Sequence, residues 1–375
     1  MLDFQRDYAP LREELLAAIA AVCDSQRFIL GPEVAVFEAA AATACAVPHA
    51  IGCASGTDAL WLALAALRIG PGDAVLTTPF SFFATVSSIL RAGAQPLLAD
   101  IDPDTFNLSP DAVSHTLAHH TGSPIRAVMP VHLYGQCANM DALTALAQQH
   151  SFHLIEDAAQ AFGALWNGHP AGSLGHIAAF SFYPTKNLAA FGDAGLCTTA
   201  DPVLAEHMTM LRAHGMRKRY FHDEVGWNSR LDTLQAAVLS VKLRHVAAGN
   251  TRRRELAALY DSLFRAAGLT AASTTDGIVP PVTDPRATPV FHQYVIRAPR
   301  RDALREHLTA LGIGTEIYYP QPLHLQASLA TLGYKPGDFP HAERAAAEVL
   351  ALPMYPGLRH DEAETVVEAI RRFYQ

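Results

Sequence analysis

The sequence predicts an α/β protein, with a large domain built on a mostly parallel central sheet flanked by helices and a small α+β domain at the C-terminal end. Half of the 375 residues are hydrophobic and 17% are charged, a composition that allows a large buried core. Short apolar runs alternate with helical patterns in the first half of the chain, which is typical of a buried parallel sheet. A long helical pattern then leads into a Pro-rich tail that mixes strand and helix signals.

Six apolar runs predict the strands of the sheet: Ala74–Thr78, Pro96–Ala99, Arg126–Val131, His153–Glu156, Ala178–Phe182 and Gly195–Thr199. Four helical patterns accompany the first four runs: Asp58–Arg68, Phe83–Ala92, Pro110–His119 and Asn139–Gln149. After Asp157 the strands follow one another without long helices between them. We therefore expect part of the sheet to depart from a simple strand–helix–strand order.

A long helical pattern begins near Asp232 and carries apolar residues at helical spacing. Gly249 and Asn250 lie within it, and a pattern of this length often links two domains and breaks near such a glycine. We therefore predict a large domain at residues 1–248 and a small domain at residues 249–375. The N-terminal segment of the large domain is expected to be able to pack on the small one.

Composition and charge argue against several classes of protein. With 28 Lys and Arg against 36 Asp and Glu, the net charge is −8, so no basic excess is available to neutralise a nucleic-acid backbone. The N-terminus has no basic start followed by an unbroken apolar run, and no long apolar stretch predicts a membrane span. The five cysteines are scattered and no HExxH motif occurs, which argues against a disulfide scaffold or a metal site. These observations favour a cytoplasmic protein without nucleic-acid or membrane partners.

The segment Ser55–Leu60, with the sequence SGTDAL, opens the first predicted helix. Backbone N–H groups and small hydroxyls at a helix N-terminus bind anions such as phosphate. The alternative is an ordinary helix cap, since Ser and Thr are preferred at that position. These residues alone leave both interpretations open.

Two acids, Glu156 and Asp157, stand at the end of the fourth predicted strand. In open α/β sheets, ligands bind at the carboxyl ends of the strands. An acid in this position either caps the segment that follows or pairs with a cationic atom of a ligand. Capping is the commoner role of a lone Asp.

Lys186 is the single charged residue between Ile177 and Gly192, and aromatic residues and glycines flank it. Burial of a lysine lowers its pKa and makes the neutral amine available as a nucleophile. The alternative is a lysine whose charged end reaches the solvent from a partly covered side chain.

A phosphate-binding turn, a carboxylate and a reactive lysine are together the groups that pyridoxal 5′-phosphate (PLP) requires. The lysine would hold the cofactor covalently, and the carboxylate would keep its pyridine nitrogen protonated. The helix N-terminus would take the phosphate. The three segments in combination therefore predict a PLP enzyme.

Nearly the whole chain resembles the DegT/StrS nucleotide-sugar aminotransferases, a branch of the fold-type-I, aspartate-aminotransferase-like PLP transferases. The motifs that carry the resemblance are FILGPEV (Phe28–Val34), ASGTDAL (Ala54–Leu60), TPFSFFAT (Thr78–Thr85), VHLYGQ (Val131–Gln136), EDAAQAFGA (Glu156–Ala164), FSFYPTKNL (Phe180–Leu188), GWNSRLDTLQAA (Gly226–Ala237), YYPQPLHLQ (Tyr318–Gln326) and LPMYPGL (Leu352–Leu358). The resemblance implies a fold-type-I PLP transferase with PLP as its cofactor, and a homodimer whose active sites are shared between the subunits.

The resemblance also implies roles for single residues. Lys186 is the Schiff-base lysine and the proton shuttle, Asp157 is the partner of the pyridine nitrogen, and Gln160 approaches the 3′ oxygen of the ring. Three residues are implied as ligands of the phosphate: Gly56, Thr57 and Ser181.

Other implied roles have plain alternatives. Phe82 is implied to stack on the cofactor ring, although without the resemblance we would place it in the core. Asn228 is implied to reach the phosphate of the neighbouring subunit's cofactor, although alone it reads as a turn residue. Four residues fall where family members contact the sugar or its diphosphate: Tyr183, Arg230, Tyr319 and His324. Of these, His324 alone would more simply be a structural histidine.

The implied reaction is a two-stage transamination. L-Glutamate gives up its amino group and leaves as 2-oxoglutarate, and a nucleotide-linked keto-sugar then accepts the amino group. The sequence NSRLD at residues 228–232 favours a 3-keto substrate, such as a dTDP-3-keto-6-deoxyhexose or a UDP-2-acetamido-3-keto-uronic acid. The alternative is a 4-keto-6-deoxyhexose. Lysine rather than histidine at position 186 argues against a dehydratase, and the presence of Lys186 and Asp157 argues against a non-catalytic regulator on the same scaffold.

Overall fold

A seven-stranded sheet forms the centre of this computed structural model, which describes residues 1–275 and 277–375. Its strands are β1 (His49–Cys53), β2 (Ala74–Thr77), β3 (Gln95–Leu98), β4 (Ile125–Val128), β5 (His153–Asp157), β8 (Ile177–Ser181) and β9 (Gly195–Thr199). They lie in the order β1-β9-β8-β5-β4-β2-β3. β9 runs antiparallel to both of its neighbours, and the other adjacent pairs are parallel. The predicted α/β class with a mostly parallel sheet is therefore confirmed.

The remaining strands form three small sheets: β6 (Leu165–Trp166) and β7 (His169–Pro170) with β12 (Ala287–Thr288), β10 (Met216–Lys218) with β11 (Phe221–His222), and β13 (Tyr294–Arg297) with β14 (Val349–Leu352). The α-helices are α1 (Phe4–Tyr8), α2 (Arg12–Ser25), α3 (Pro32–Ala44), α4 (Gly56–Ala66), α5 (Ala84–Arg91), α6 (Pro110–His119), α7 (Met140–His150), α8 (Pro202–Leu211), α9 (Thr233–Ala266), α10 (Arg301–Ala310), α11 (Pro340–Glu348) and α12 (His360–Tyr374). None of the helices in the described ranges is long and apolar enough to cross a membrane.

The six predicted strands of the central sheet are confirmed, with shifts of a few residues at their ends. β4 ends at Val128 rather than at Val131, because Pro130 has no N–H group to donate to a strand ladder. β1 was not predicted, since its sequence HAIGC has little apolar bulk or alternation. The departure from strand–helix–strand order after Asp157 is also confirmed, because β9 follows β8 without a helix and pairs with it antiparallel.

Helix α9 runs unbroken from Thr233 to Ala266, so the predicted break near Gly249 is wrong. A glycine inside a helix costs about 1 kcal/mol relative to alanine, and the contacts of the next residue, Asn250, help to offset that cost. The side chain of the buried Asn250 donates to the carbonyl of Phe162 at 3.0 Å and accepts from Asn187 at 2.8 Å. The division of the chain at 248/249 stays a prediction, and α9 crosses it as one continuous element.

The apolar side chains of the sheet pack on both faces. One cluster joins α4 and α8 to the sheet through residues such as Leu60, Leu64 and Met208, and a second joins the opposite face through Phe37, Phe152 and Phe180. A third cluster forms the C-terminal part of the molecule around β13, β14 and α12. The N-terminal segment is fixed to that part, because Arg6 bonds to Glu362 at 2.8 Å and to the carbonyl of Gly357 at 3.0 Å.

Three chain ends meet at one edge of the sheet: the carboxyl ends of β5 and β8 and the beginning of α4. Gly195, the first residue of β9, lies directly against this edge. A Cβ atom at position 195 would lie 2.2 Å from the carbonyl oxygen of Ser55, the residue that caps α4. The absence of a side chain at Gly195 therefore sets how closely β9 approaches the first turn of α4.

We expect Gly195→Ala to lower the stability of the fold by about 1–3 kcal/mol, because backbone atoms must shift to admit the methyl group. The measurement is the midpoint of urea unfolding. Gly70→Ala is the matched control, since a Cβ there would meet its nearest atom at 3.4 Å. An unchanged midpoint for Gly195→Ala would show that this edge of the sheet is not packed as described.

Candidate active site

The carboxylate of Asp157 lies buried at the end of β5. It accepts a hydrogen bond from the hydroxyl of Thr85 at 2.8 Å and one from the backbone N–H of Ala159 at 3.3 Å. Burial raises the pKa of Asp157, and these two hydrogen bonds, together with the positive charge of Lys186, oppose the rise. The structure thus holds a hydrogen-bonded carboxylate at the edge where a cationic ligand atom would meet it.

A buried pair behind Asp157 fixes the end of β5. His132 donates from its backbone N–H to the carbonyl of Asp157 at 3.0 Å, and its Nε2 lies 2.9 Å from a carboxylate oxygen of Glu156. Nδ1 of His132 accepts from the backbone of Ala138, so the ring proton is on Nε2 and points to Glu156. Glu156 also accepts three backbone N–H bonds, from Gly172, Leu174 and Gly175. The strand end that presents Asp157 is therefore held from several sides.

Sequence reasoning missed Thr85 and His132 as supports of this carboxylate. Both lie inside motifs quoted for the resemblance, TPFSFFAT and VHLYGQ. The two motifs could have drawn attention to Thr85 and His132. Only the folded chain shows that these residues bond to the end of β5.

Lys186 lies in the loop between β8 and β9, and its side chain is half-buried. Across residues 1–275 and 277–375, its amine makes no hydrogen bond and no ion pair within 4 Å. Burial lowers the pKa of Lys186 to about 8, against the attraction of the Asp157 carboxylate, which raises it. The lowered pKa makes the neutral amine of Lys186 more available as a nucleophile.

The residue after Lys186 ties its loop to the rest of the protein. Asn187 donates to the side chain of Asn250 in α9 at 2.8 Å and to the carbonyl of Val290 at 3.1 Å. Its amide oxygen lies 3.2 Å from Nδ1 of His292. Burial, with the nearby charges of Lys186 and Arg253, holds the pKa of His292 well below its usual value. A neutral histidine and two amides therefore clamp the lysine loop to α9.

The first turn of α4 faces the end of β8, as a phosphate site requires. Ser55 caps the helix by accepting from the backbone N–H of Asp58 at 3.1 Å. A Cβ at Gly56 would lie 2.5 Å from Cβ of Ser181, so a glycine is needed for this contact. Thr57 follows in the same turn. Gly56, Thr57 and Ser181 are thereby brought to one place, beside the N–H groups at the helix N-terminus.

Phe82, Tyr319 and Gln160 line the same region. The side chain of Phe82 is 60% exposed, so the alternative that placed it in the core is wrong. Its ring centre lies 6.3 Å from that of Tyr319, whose hydroxyl accepts from the amide of Gln160 at 3.3 Å. Burial and the charge of Asp157 raise the pKa of Tyr319. An exposed aromatic ring beside Tyr319 is a natural stacking surface for a planar ligand.

The other predicted residues lie in three different settings. Tyr183 is exposed in the lysine loop. Arg230 bonds to the side chain of the exposed Asn228 at 2.7 Å, in the segment that precedes α9. His324 has a fully buried side chain, with Nε2 3.0 Å from Glu343. The structure therefore gives His324 the setting of a structural histidine and leaves the other three open to solvent or half-buried.

A cavity of about 750 Å³ adjoins the lysine loop. Its walls come from the N-terminal segment at residues 2–11, the loop at residues 184–191, the middle of α9 and residues 356–357. Of the predicted site residues, Lys186 is the one that lines it. The lysine thus stands between this cavity and the edge of the sheet that carries Asp157.

The chemical groups of these residues, as the structure arranges them, are suited to bind PLP. Lys186 offers an amine with a lowered pKa, Asp157 a hydrogen-bonded carboxylate, and α4 an N-terminus with a close approach that only glycine allows. Phe82 adds an exposed aromatic face. The same set would be poorly explained as a site for a metal ion, since it brings together one carboxylate, one amine and an apolar ring.

Comparison with known proteins gives a consistent picture. Residues 10–371 match the model of the DegT/DnrJ/EryC1/StrS aminotransferase family. The chain is 48% identical to the "Pleiotropic regulatory protein" of Geobacillus stearothermophilus, over 100% of this chain and 98% of that protein. It is 46% identical to the dTDP-3-amino-3,4,6-trideoxy-alpha-D-glucose transaminase of Streptomyces venezuelae, over 99% of this chain and 95% of the other. The crystal structure of S. venezuelae DesV in complex with a ketimine intermediate superposes with a TM-score of 0.94 at 45% identity, covering 100% of this chain and 97% of that one.

The lowered pKa of Lys186 predicts a pH dependence for its reaction with aldehydes. At pH 7 about a tenth of an amine with a pKa of about 8 is neutral, against about three in ten thousand for a lysine at its ordinary pKa. Covalent capture of PLP at Lys186, trapped with borohydride and quantified by mass spectrometry, should rise about tenfold per pH unit and level off above about pH 8. The exposed Lys335 is the internal control. A rate at Lys186 that keeps rising to pH 10 would contradict the assignment.

We expect Thr85→Val to weaken PLP binding about tenfold. The variant removes the hydroxyl that stabilises the charged form of Asp157, and a hydrogen bond to a charged group contributes roughly 1.5–3 kcal/mol. The measurement is the dissociation constant of PLP from absorbance titration. Thr116→Val is the control, because the Thr116 hydroxyl donates to the carbonyl of Ala112 in its own helix. Equal constants for the two variants would show that Asp157 does not depend on Thr85.

Proposed function

Because the chain belongs to the DegT/DnrJ/EryC1/StrS aminotransferase family, we propose that it transfers an amino group from L-glutamate to a nucleotide-linked 3-keto sugar, with PLP as its cofactor. The observation that carries this proposal is the half-buried amine of Lys186, which has no hydrogen-bond partner in residues 1–275 and 277–375 and whose pKa is lowered to about 8, in the electric field of Asp157. A neutral amine at that point can bind an aldehyde and can also accept and return a proton near neutral pH.

We assign the cofactor contacts to residues that the fold brings to one edge. Asp157 would hold the pyridine nitrogen protonated, Phe82 would cover one face of the ring, and Gln160 would approach the 3′ oxygen. The phosphate would lie among Gly56, Thr57 and Ser181. When bound, PLP supplies the electron sink for the charge left at Cα of the donor. Lys186 would carry the proton between Cα and C4′ of the cofactor.

The choice of a 3-keto sugar is supported by the name of the S. venezuelae relative, a transaminase that acts at C3, and by the sequence NSRLD at residues 228–232. The sugar and its diphosphate are proposed to contact Tyr183, Arg230 and Tyr319. The role predicted for His324 would be indirect, because its side chain is buried against Glu343. A 4-keto sugar is the alternative substrate.

A homodimer with shared sites is part of the proposal. Asn228 is exposed at the surface, where it can reach a second subunit. Large apolar side chains also stand exposed on the same molecule, among them Ile29, Val36, Tyr220 and Val225. Exposed apolar surface of this kind favours contact with another chain.

The similarity to a protein named as a pleiotropic regulator favours one other candidate, a regulator built on the aminotransferase scaffold. The two functions make different demands on Lys186. An aminotransferase requires its amine for turnover, whereas a regulator that only binds a ligand does not.

The test is a panel of dTDP-, UDP- and GDP-linked 3-keto and 4-keto sugars assayed with L-glutamate, with formation of 2-oxoglutarate as the readout. We expect turnover with a 3-keto sugar and a loss of at least 10³-fold in Lys186→Ala, because that variant lacks the proton-transferring amine. Lys335→Ala, an exposed lysine outside the site, is the matched control. Turnover that survives in Lys186→Ala would overturn the proposal, turnover with 4-keto sugars alone would overturn the C3 assignment, and no turnover with any sugar would favour the regulator.

A further inference from the structure

The segment before α9, which carries Asn228, is fastened to α4 by two contacts one helical turn apart. The hydroxyl of Ser229 donates to a carboxylate oxygen of Asp58 at 3.0 Å, and the ring of Trp227 lies against that of Trp61. Asp58 and Trp61 both belong to α4. The helix that offers its N-terminus to a phosphate thus also holds, on its flank, the segment with the exposed Asn228.

Ser229 differs from its neighbours in burial and bonding. Its side chain is 1% exposed, whereas Asn228 is exposed and Arg230 is half-buried. Its backbone N–H donates to the carbonyl of Arg212 at 2.9 Å. With both its hydroxyl and its backbone bonded to the protein, Ser229 has a fixed position, and the side chains on either side of it are directed outward from that point.

The carboxylate of Asp58 makes two contacts outside its own helix, with Arg91 and with Ser229. It lies in the first turn of α4, close to where a phosphate dianion would bind, and two negative charges there repel each other. The structure balances the charge of Asp58 with the guanidinium of Arg91 at 3.2 Å, and Arg91 in turn stacks on Trp61. The other carboxylate oxygen of Asp58 accepts the hydrogen bond from the hydroxyl of Ser229. Asp58 therefore joins the first turn of α4 both to Arg91 and to the segment before α9.

We infer that Asp58 and Ser229 are positioning residues for the cofactor of the partner subunit. The inference rests on the proposed function, in which Asn228 reaches the partner's cofactor phosphate. The Asp58–Ser229 bond sets where the Asn228 segment stands relative to α4. Each α4 then contributes to two cofactor sites, directly to its own through its N-terminus and indirectly to the partner's through Ser229 and Asn228.

The consequence is an effect that crosses between chains. Removing the Ser229 hydroxyl should leave the site of the altered chain intact and weaken the site of its unaltered partner. A role confined to folding would affect the altered chain itself or both chains alike.

The experiment uses heterodimers of one wild-type chain and one Ser229→Ala chain, distinguished by tags of different mass. PLP is titrated, the linkage to Lys186 is fixed with borohydride, and the labelled fraction of each chain is read by mass spectrometry. We expect half-labelling of the wild-type chain to need about tenfold more PLP than in the wild-type homodimer, because a hydrogen bond to a charged group is lost. The Ser229→Ala chain should stay within about twofold of the homodimer value.

Two heterodimers serve as controls. Ser240→Ala removes a buried hydroxyl that has no hydrogen-bond partner in the described ranges, so both chains should label as in the homodimer. Asn228→Ala tests the proposed function on its own, since it should weaken only the wild-type chain. Weakening by Ser229→Ala on its own chain, on both chains alike or on neither would overturn the inference. If Asn228→Ala gives the cross-chain effect and Ser229→Ala does not, the proposed function stands and the inference falls.

Discussion

Burial acts in opposite directions on the two charged groups at the centre of this protein. It lowers the pKa of Lys186 to about 8 and raises the pKa of Asp157, so both groups are drawn toward their neutral forms. Their mutual attraction opposes the change in both, although no ion pair within 4 Å joins them. The lowered pKa allows the lysine to react, while the hydrogen bonds from Thr85 and Ala159 favour the charged form of Asp157. Several hydrogen bonds of the site fix the two segments that carry these groups.

The supports of the two groups come from different parts of the fold. Asp157 depends on the hydroxyl of Thr85 and on a strand end fixed by His132 and Glu156. Lys186 depends on the amide of its neighbour Asn187, which reaches across to α9. Buried polar groups of this kind are costly unless every donor and acceptor is matched, and here the matched partners lie far apart in sequence. The geometry of the site is therefore a property of the whole fold rather than of any one motif.

The amino-acid sequence predicted the parts of this arrangement that depend on local pattern. The apolar runs that became β2, β5 and β8 are continuous enough to be recognised, and Lys186 and Asp157 stand out from their surroundings. Contacts between residues that are far apart in the chain could not be predicted from the sequence. The break near Gly249 was wrong because Asn250 is held by residues far away in the chain, and Thr85 and His132 became visible as supports only once β5 was in place. For His324 the sequence offered the interpretation as a structural histidine, but its partner Glu343 became visible only in the folded chain.

The continuity of α9 also limits how this molecule can change shape. A helix of 34 residues is about 50 Å long and behaves as a stiff rod. Because α9 is not interrupted in its middle, it cannot bend there to open or close the molecule around a bulky ligand. Such a motion must use the segments before and after α9, or a small displacement of neighbouring helices along it. Asn187 is hydrogen-bonded to Asn250 of α9 and is next to Lys186 in the chain. A shift at that point of α9 would therefore move the reactive amine.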